Sequence, residues 1–458
     1  MSVFVNRQRE LAELERWWKP PNGRLGLVWG RRRVGKTALL EEFAHSRRTV
    51  FHTAAGRPLA DELRLLSAAA GDVVTPGLRD LSARPFATWD DALDTLAEAA
   101  SRERLLVVLD EFPELVGASP ELPGVLRAFL DRAREKTKLR LLLCGSAVRT
   151  MHAMQEERAP LYGRFDLSLL VHPFEPHEAA ALLEGLRPAD RALVWGILGG
   201  VPLYLTWWDQ RASVRANLLR LACAPGGRLL DEGQLVLASE GDLGDLGELV
   251  LRAIAAGRTR HNEIEQAVRA EPSRVLERLV ELRLVERVVP VTENPARTRR
   301  RTYRIADNFL AFWLGLLDRH RSAIGRGLGS QVAPVLVREL DDHMGDPWET
   351  AFRAQLVRLA AAGQLGADVL DVGRWWRDSP SVEIDAVALA GRERQPVLVG
   401  EAKWARRVDA RRIVRELRDK SAALPGAGEN VRYAVAARER VDHAGDALAI
   451  TAADIFSR

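Results

Sequence analysis

Short, nearly unbroken apolar runs recur in the first third of the chain, at residues 25–30, 105–112, 139–146 and 167–172, with a mixed run near 49–53. Runs this short, bounded by Gly, Asp or Pro, read as strands buried on both faces. Helical periodicity fills the gaps, over 36–46, 59–70 and 88–100, and a short apolar start leads a further helix within 3–18, with Leu11 and Leu14 on one face. Strands and helices in alternation predict a parallel sheet covered on both sides.

Beyond residue 240 the pattern changes. Helical segments at 246–256, about 261–269 and 273–282 precede two strands, 285–291 and 301–305, joined by TENPARTRR. Three helices and a β-hairpin predict a winged helix-turn-helix. Residues 307–340 read as a helical connector whose aromatic stripe, DNFLAFWLGLL, belongs to a core. A helix at 347–362 opened by Pro347, strands at 369–376, 382–390 and 397–404, a helix at about 408–423 and a strand at 431–437 give the order αβββαβ. The fold class is α/β multidomain, in parts 1–235, 240–306, 307–340 and 341–458.

Composition narrows the class. The 47% hydrophobic and 28% charged residues of this 458-residue chain describe globular material rather than disorder. No apolar run reaches a membrane span and the amino end lacks a signal-peptide core, so a cytoplasmic chain is expected. Cys144 and Cys223 have no metal-ligand spacing, and the nine histidines form no ligand cluster. A net charge of +4 demands no nucleic acid. Lysine is scarce, at Lys19, Lys36, Lys136, Lys138, Lys403 and Lys420 only. In an arginine-rich chain, a retained lysine marks a place where a compact ammonium matters.

Lys36 is one such place. Residues 30–37 read G-R-R-R-V-G-K-T between a predicted strand and a predicted helix, the context that gives the phosphate-loop motif its meaning. Backbone N–H groups from Gly30 through Arg31, Arg32, Arg33, Val34 and Gly35 to Ala38 can close on phosphate oxygens, aided by the helix N-terminus. Lys36 suits the β/γ-phosphates of ATP and Thr37 suits Mg²⁺. LLVVLDEF ends in Asp110, a second ligand for the hydrated metal, and Glu111, a base for the attacking water. Ser146 lies beside the γ-phosphate if its strand sits between these two, and Arg164, with Arg158 as alternative, is a candidate γ-phosphate sensor.

FVNR at 4–7, GRRRVGKT, LDEF, LCGS, PLYGR and GGVP at 199–202 together resemble the archaeal-type ATPase family, within the STAND group of P-loop NTPases related to AAA+ proteins. The resemblance covers roughly 1–235. It implies an added strand between the motif strands, a helical lid, Asn6 and Arg7 near the adenine, and Gly200 to Pro202 near the nucleotide.

The second chemical centre lies near the carboxyl end. Asp385 falls on one strand of a hairpin, and Glu401 and Lys403 share a face of the next by period-two alternation. Two carboxylates and a lysine can hold Mg²⁺ and polarise a water for phosphodiester attack, with Glu349 as a further acid. The order resembles the PD-(D/E)xK, restriction-endonuclease-like superfamily, and GRWW…EID…GEAKW resembles the domain that accompanies archaeal-type ATPases. The resemblance implies a metal-dependent DNA nuclease with Asp385 and Glu401 as ligands. Glu383 and Ile384 stand where that superfamily often has proline. Two rival readings stay open: a nucleotide switch whose carboxyl-terminal fold binds DNA without cutting, and a transcription regulator in which the winged helix, its wing carrying Arg297, Arg299, Arg300, Arg301 and Arg304, reads a site and the third domain only dimerises. The expected partners are ATP and DNA, and a homo-oligomer is compatible, with Arg164 then acting in trans.

Overall fold

The computed structural model describes residues 4–74, 78–239, 243–366, 368–428 and 430–457. The chain divides into two compact units, Met1–His172 and Pro173–Arg458.

In the first unit, β1 (Arg24–Trp29), β2 (Thr49–Thr53), β3 (Leu105–Asp110), β4 (Leu139–Gly145) and β5 (Leu167–Leu170) form one sheet in the order β2-β3-β4-β1-β5. Each of its pairings is parallel. β4 therefore lies between the two motif strands. Apolar runs make such strands because alternate side chains feed opposite cores. Leu25, Leu27, Leu105, Val107, Leu109, Leu141 and Leu143 face the helices Leu59–Val74, Trp89–Ala99 and Leu122–Ala133. Val28, Leu106, Val108, Leu142 and Cys144 face Gln8–Trp18 and Lys36–Ala44.

The second unit opens with helices Pro188–Leu198, Pro202–Trp207, Val214–Leu221 and Arg228–Ser239. Sequence reasoning assigns them to the first domain as its lid. They share a core with the connector: Trp313 Nε1 donates to the Leu230 carbonyl at 3.0 Å, and Asn308 Nδ2 to that of Trp195 at 3.3 Å. Phe309, Phe312 and Trp313 are fully buried, so the aromatic stripe is core. GGVP has a packing reason within this unit. Phe174 N donates to Gly200 O at 2.7 Å, and a Cβ on Gly200 would stand 1.8 Å from the Phe174 carbonyl oxygen. Gly200→Ala is therefore expected to cost about 3 kcal/mol or more. Urea unfolding should show a lower midpoint at unchanged slope.

Helices Gly244–Ala255, His261–Val268 and Ser273–Glu281 are followed by the antiparallel pair β6 (Val285–Val288) and β7 (Thr302–Ile305). Tyr303 N bonds the Thr259 carbonyl at 2.8 Å, closing the hairpin on the helices. Helix Gly345–Ala361 leads into β8 (Val369–Asp378), β9 (Ser381–Ala390) and β10 (Gln395–Lys403), an antiparallel meander. After the short β11 (Arg407–Asp409) and helix Ala410–Ser421 come β12 (Arg432–Ala437), β13 (Arg440–Asp442) and β14 (Leu448–Thr451). The main sheet runs β14-β12-β10-β9-β8, with β12 parallel to β10 and β14 parallel to β12. β11 and β13 pair separately. The order αβββαβ is present and extended by β14. Its edge strand LAIT is too short to stand out by alternation. Among the described residues, no helix is long and apolar enough to cross a membrane.

Candidate functional site

The phosphate loop is shaped by its glycines. Gly30 has φ +147°, and a Cβ there would lie 2.4 Å from the Val171 carbonyl oxygen. Gly35, at φ +89°, precedes helix Lys36–Ala44, whose first N–H groups have no partner within the helix. Lys36 is buried at 6% exposure and donates to the carbonyls of Gly30 and Arg31, both at 2.9 Å, so its ammonium sits inside the loop. Arg7, at 3% exposure, donates to Val34 O at 2.7 Å and His172 O at 2.8 Å and pairs with Glu10 at 2.6 Å. The left-handed Asn6–Arg7 segment is thus tied to the loop's flank.

Thr37 Oγ1 donates to Asp110 Oδ2 at 2.8 Å, and Glu111 N donates to Asp110 Oδ1 at 3.0 Å. Hydroxyl and buried carboxylate meet as hard oxygen donors, a set that fits Mg²⁺. Glu111 is left-handed at φ 52°, ahead of helix Phe112–Ala118, and accepts from Ser146 Oγ at 3.1 Å. Gly30 to Ala38, Thr37, Asp110, Glu111 and Ser146 are brought together at the sheet's carboxyl end, the position where open α/β sheets bind ligands. Arg164 is not presented this way. Its guanidinium makes a two-pronged pair with Asp131, at 2.8 and 3.3 Å, geometry that carboxylates favour strongly. Pro202 opens its helix in the second unit.

Sequence reasoning missed a buried pair beside this centre. His52 Nε2 meets Glu62 at 2.9 Å, while Glu62 accepts from Ala55 N and Arg57 N and so holds the turn after β2. Burial lowers the His52 pKa, so the ring stays neutral. A polar residue in strand TVFHT was the available signal.

In the second unit, Gly400 pairs with Ala386, and one step further Asp385 and Glu401 lie side by side. Both are buried, at 7% and 6% exposure. Asp385 Oδ2 accepts from Ala402 N at 2.9 Å. Lys403 Nζ donates to Glu401 Oε1 at 2.6 Å, and Lys420, from helix Ala410–Ser421, donates to Oε2 at 2.7 Å. Lys420 was legible only as one of six lysines, because helix phase had to bring it back to β10. Burial, then the Glu401 charge, raise the Asp385 pKa. Burial opposes the Lys403 charge, but the Glu401 hydrogen bond and the charges of Glu401, Asp385 and Glu349 together outweigh it and raise that pKa.

Glu349 is clamped rather than open. Arg374 holds it at 2.7 Å and Arg353 at 3.4 Å, while Arg353 also donates to the Asp385 carbonyl at 2.9 Å. Burial and Asp385 still raise the Glu349 pKa to about 7. The expected basic wing is thinner than its composition. Arg304 pairs with Glu286 and with Asp346 at 3.1 Å, and Arg300 with Glu293, because both arginines turn inward toward neighbouring acids. Arg297 and Arg299 remain exposed. Among the described residues, no three His, Cys, Asp or Glu converge to hold a metal ion by themselves. Paired carboxylates with all-oxygen donors nonetheless suit a hard dication, whose charge would relieve the repulsion that raises Asp385.

Residues 4–207 match a family described as an ATPase domain predominantly from Archaea, and residues 313–413 match one described as Archaea bacterial proteins of unknown function. An uncharacterised protein of Methanocaldococcus jannaschii is 24% identical over 442 residues, covering 94% of each chain. An uncharacterised ATP-binding protein of the same organism is 46% identical over 46 residues, 10% of this chain and 78% of that one. The Walker-type ATPase of Pyrococcus abyssi has a similar fold, at 21% identity and TM-score 0.52, over 68% of this chain and 96% of that one. Loop geometry and sheet order agree with that match, and residues 4–207 are similar to an ATPase domain predominantly from Archaea, on a P-loop fold.

Proposed function

We propose that ATP binding and hydrolysis in the amino-terminal domain govern a metal-dependent, nuclease-like centre acting on DNA in the carboxyl-terminal domain. Lys36 takes the β/γ-phosphates, Glu111 orients and deprotonates the attacking water, and Thr37 and Asp110 would hold Mg²⁺. The metal, when bound, neutralises charge on the phosphates. In the second unit the three helices and β-hairpin serve as a winged helix, and the extended αβββαβ sheet as a restriction-endonuclease-like fold. Asp385 and Glu401 would hold a second Mg²⁺, and Lys403 stabilises charge on the phosphodiester.

One observation carries the reading: Asp385, Glu401 and Lys403 are contiguous on one sheet face with a buried, mutually repelling carboxylate pair. A plasmid-nicking assay with the full chain, Mg²⁺ or Mn²⁺ and ATP tests it. Metal-dependent nicking lost in Lys403→Ala is expected, and absence of nicking in the unaltered chain overturns the cutting half. A second reading has its own support, since Lys403 and Lys420 occupy both oxygens of Glu401. In that reading the carboxyl-terminal domain binds DNA as a nucleotide-dependent switch and cuts nothing. DNA binding that follows ATP state, with no nicking, selects it.

A further inference from the structure

We propose that the groove between β6–β7, the two helices before it and the end of β8 seats a single strand of nucleic acid, with phosphate on Arg287, Arg299 and Arg301 and a base against Trp376. This deepens the DNA contact proposed above by locating it and naming the strand form. It stands whether or not Asp385 and Glu401 support cutting.

The groove encloses about 470 Å³. Two of its arginines are occupied: Arg260 pairs with Asp378 at 2.5 Å, and Arg300 is held by Glu293 and donates to Trp376 O at 3.0 Å. Arg287 and Arg299 are exposed, and among the described residues neither has an acidic partner. Arg301 gives one nitrogen to Thr298 O at 3.1 Å. Three guanidiniums therefore converge with charge to spare, the arrangement that recognises phosphate oxygens by paired N–H donors. Trp376 is half-buried in the wall and presents an apolar ring beside them. Glu277, exposed and lining the same groove, can accept from a base amino group.

The strand form follows from shape and sign. A duplex presents phosphates on a convex surface and keeps its base faces stacked, so it offers Trp376 nothing. Laid along helix Ser273–Glu281, it would also meet the exposed carboxylates of Glu277 and Glu281. A flexible single strand can put its backbone on the arginines and turn one base onto the indole.

Fluorescence anisotropy of the full chain with a labelled oligo-dT, and with a labelled duplex of equal length, tests this at several salt concentrations. Arg287→Glu with Arg299→Glu is expected to weaken single-strand binding at least tenfold. Their loss should also flatten the salt dependence by about 1.4 in log–log slope, roughly 0.7 per lost phosphate contact. Trp376→Ala should weaken binding about fivefold or more, and Trp376→Phe should restore most of it, which separates stacking from lost packing. Duplex bound as tightly as single strand, or a charge-reversed chain that binds like the unaltered one, overturns the proposal. None of these readouts requires cutting, so a failed nicking assay leaves them intact.

Discussion

Lys36→Ala is expected to weaken ATP binding by tenfold to a hundredfold or more and to abolish hydrolysis, while the thermal midpoint without nucleotide moves little. The ammonium lies inside the loop at 2.9 Å from two loop carbonyls, so it is already where a triphosphate must lodge. A hydrogen bond to a charged group is worth about 1.5–3 kcal/mol, and tenfold in affinity is about 1.4 kcal/mol. Glu111→Gln should behave differently. Glutamine keeps the volume and can still accept from Ser146 Oγ, but it cannot take a proton. ATP affinity should stay within about threefold, while turnover falls by about 10²–10⁴, the usual range for a lost general base. Fluorescent-nucleotide titration and phosphate release separate the two variants. Unchanged ATP affinity in Lys36→Ala removes the phosphate-loop assignment, and unchanged turnover in Glu111→Gln removes the base.

Why the first centre was legible and the second only partly so is a matter of range. Gly30, Gly35, Lys36 and Thr37 act through backbone geometry within eight residues, so spacing alone describes them. Asp110 and Ser146 needed only strand order, and the parallel sheet supplies it. Asp385, Glu401 and Lys403 were likewise readable, since period-two alternation sets their face. Arg164, Glu349 and Arg304 have partners that the sequence did not show, for one shared reason. Each is a long or charged side chain whose partner lies far away in sequence: Asp131, Arg374 and Asp346. A sequence marks the charge and not the neighbour that consumes it. The packing of the lid helices was hidden for a similar reason. The face that buries them, Phe309, Phe312 and Trp313, comes about a hundred residues later.

On the proposed function, Asp385→Asn should reduce metal-dependent nicking by about a hundredfold or more, because the carboxylate proposed to hold the metal, with several kcal/mol of electrostatic stabilisation, goes with the charge. The fold should survive, and without metal it should gain stability. Asparagine can still accept from Ala402 N, and the repulsion with Glu401 that helps raise the Asp385 pKa is removed. Acidity supplies a second readout. A carboxyl whose folded pKa is raised keeps its proton in the folded chain at pH values where the unfolded chain has lost it. Stability from such a group therefore falls as pH rises, for Glu349 between its ordinary 4.5 and about 7. The metal-free chain should lose thermal stability through this site from pH 5 to 8. Added Mg²⁺ should recover more of it at pH 8 than at pH 5, since at Asp385, whose pKa is also raised, protons and metal compete for the same oxygens. Nicking should rise across pH 7 in parallel. In Asp385→Asn both the metal-induced gain in melting temperature and the nicking should vanish together. A variant that still gains stability from Mg²⁺ but cuts nothing would assign Asp385 to chemistry and move the metal elsewhere. A variant that cuts normally would remove Asp385 from the cutting centre.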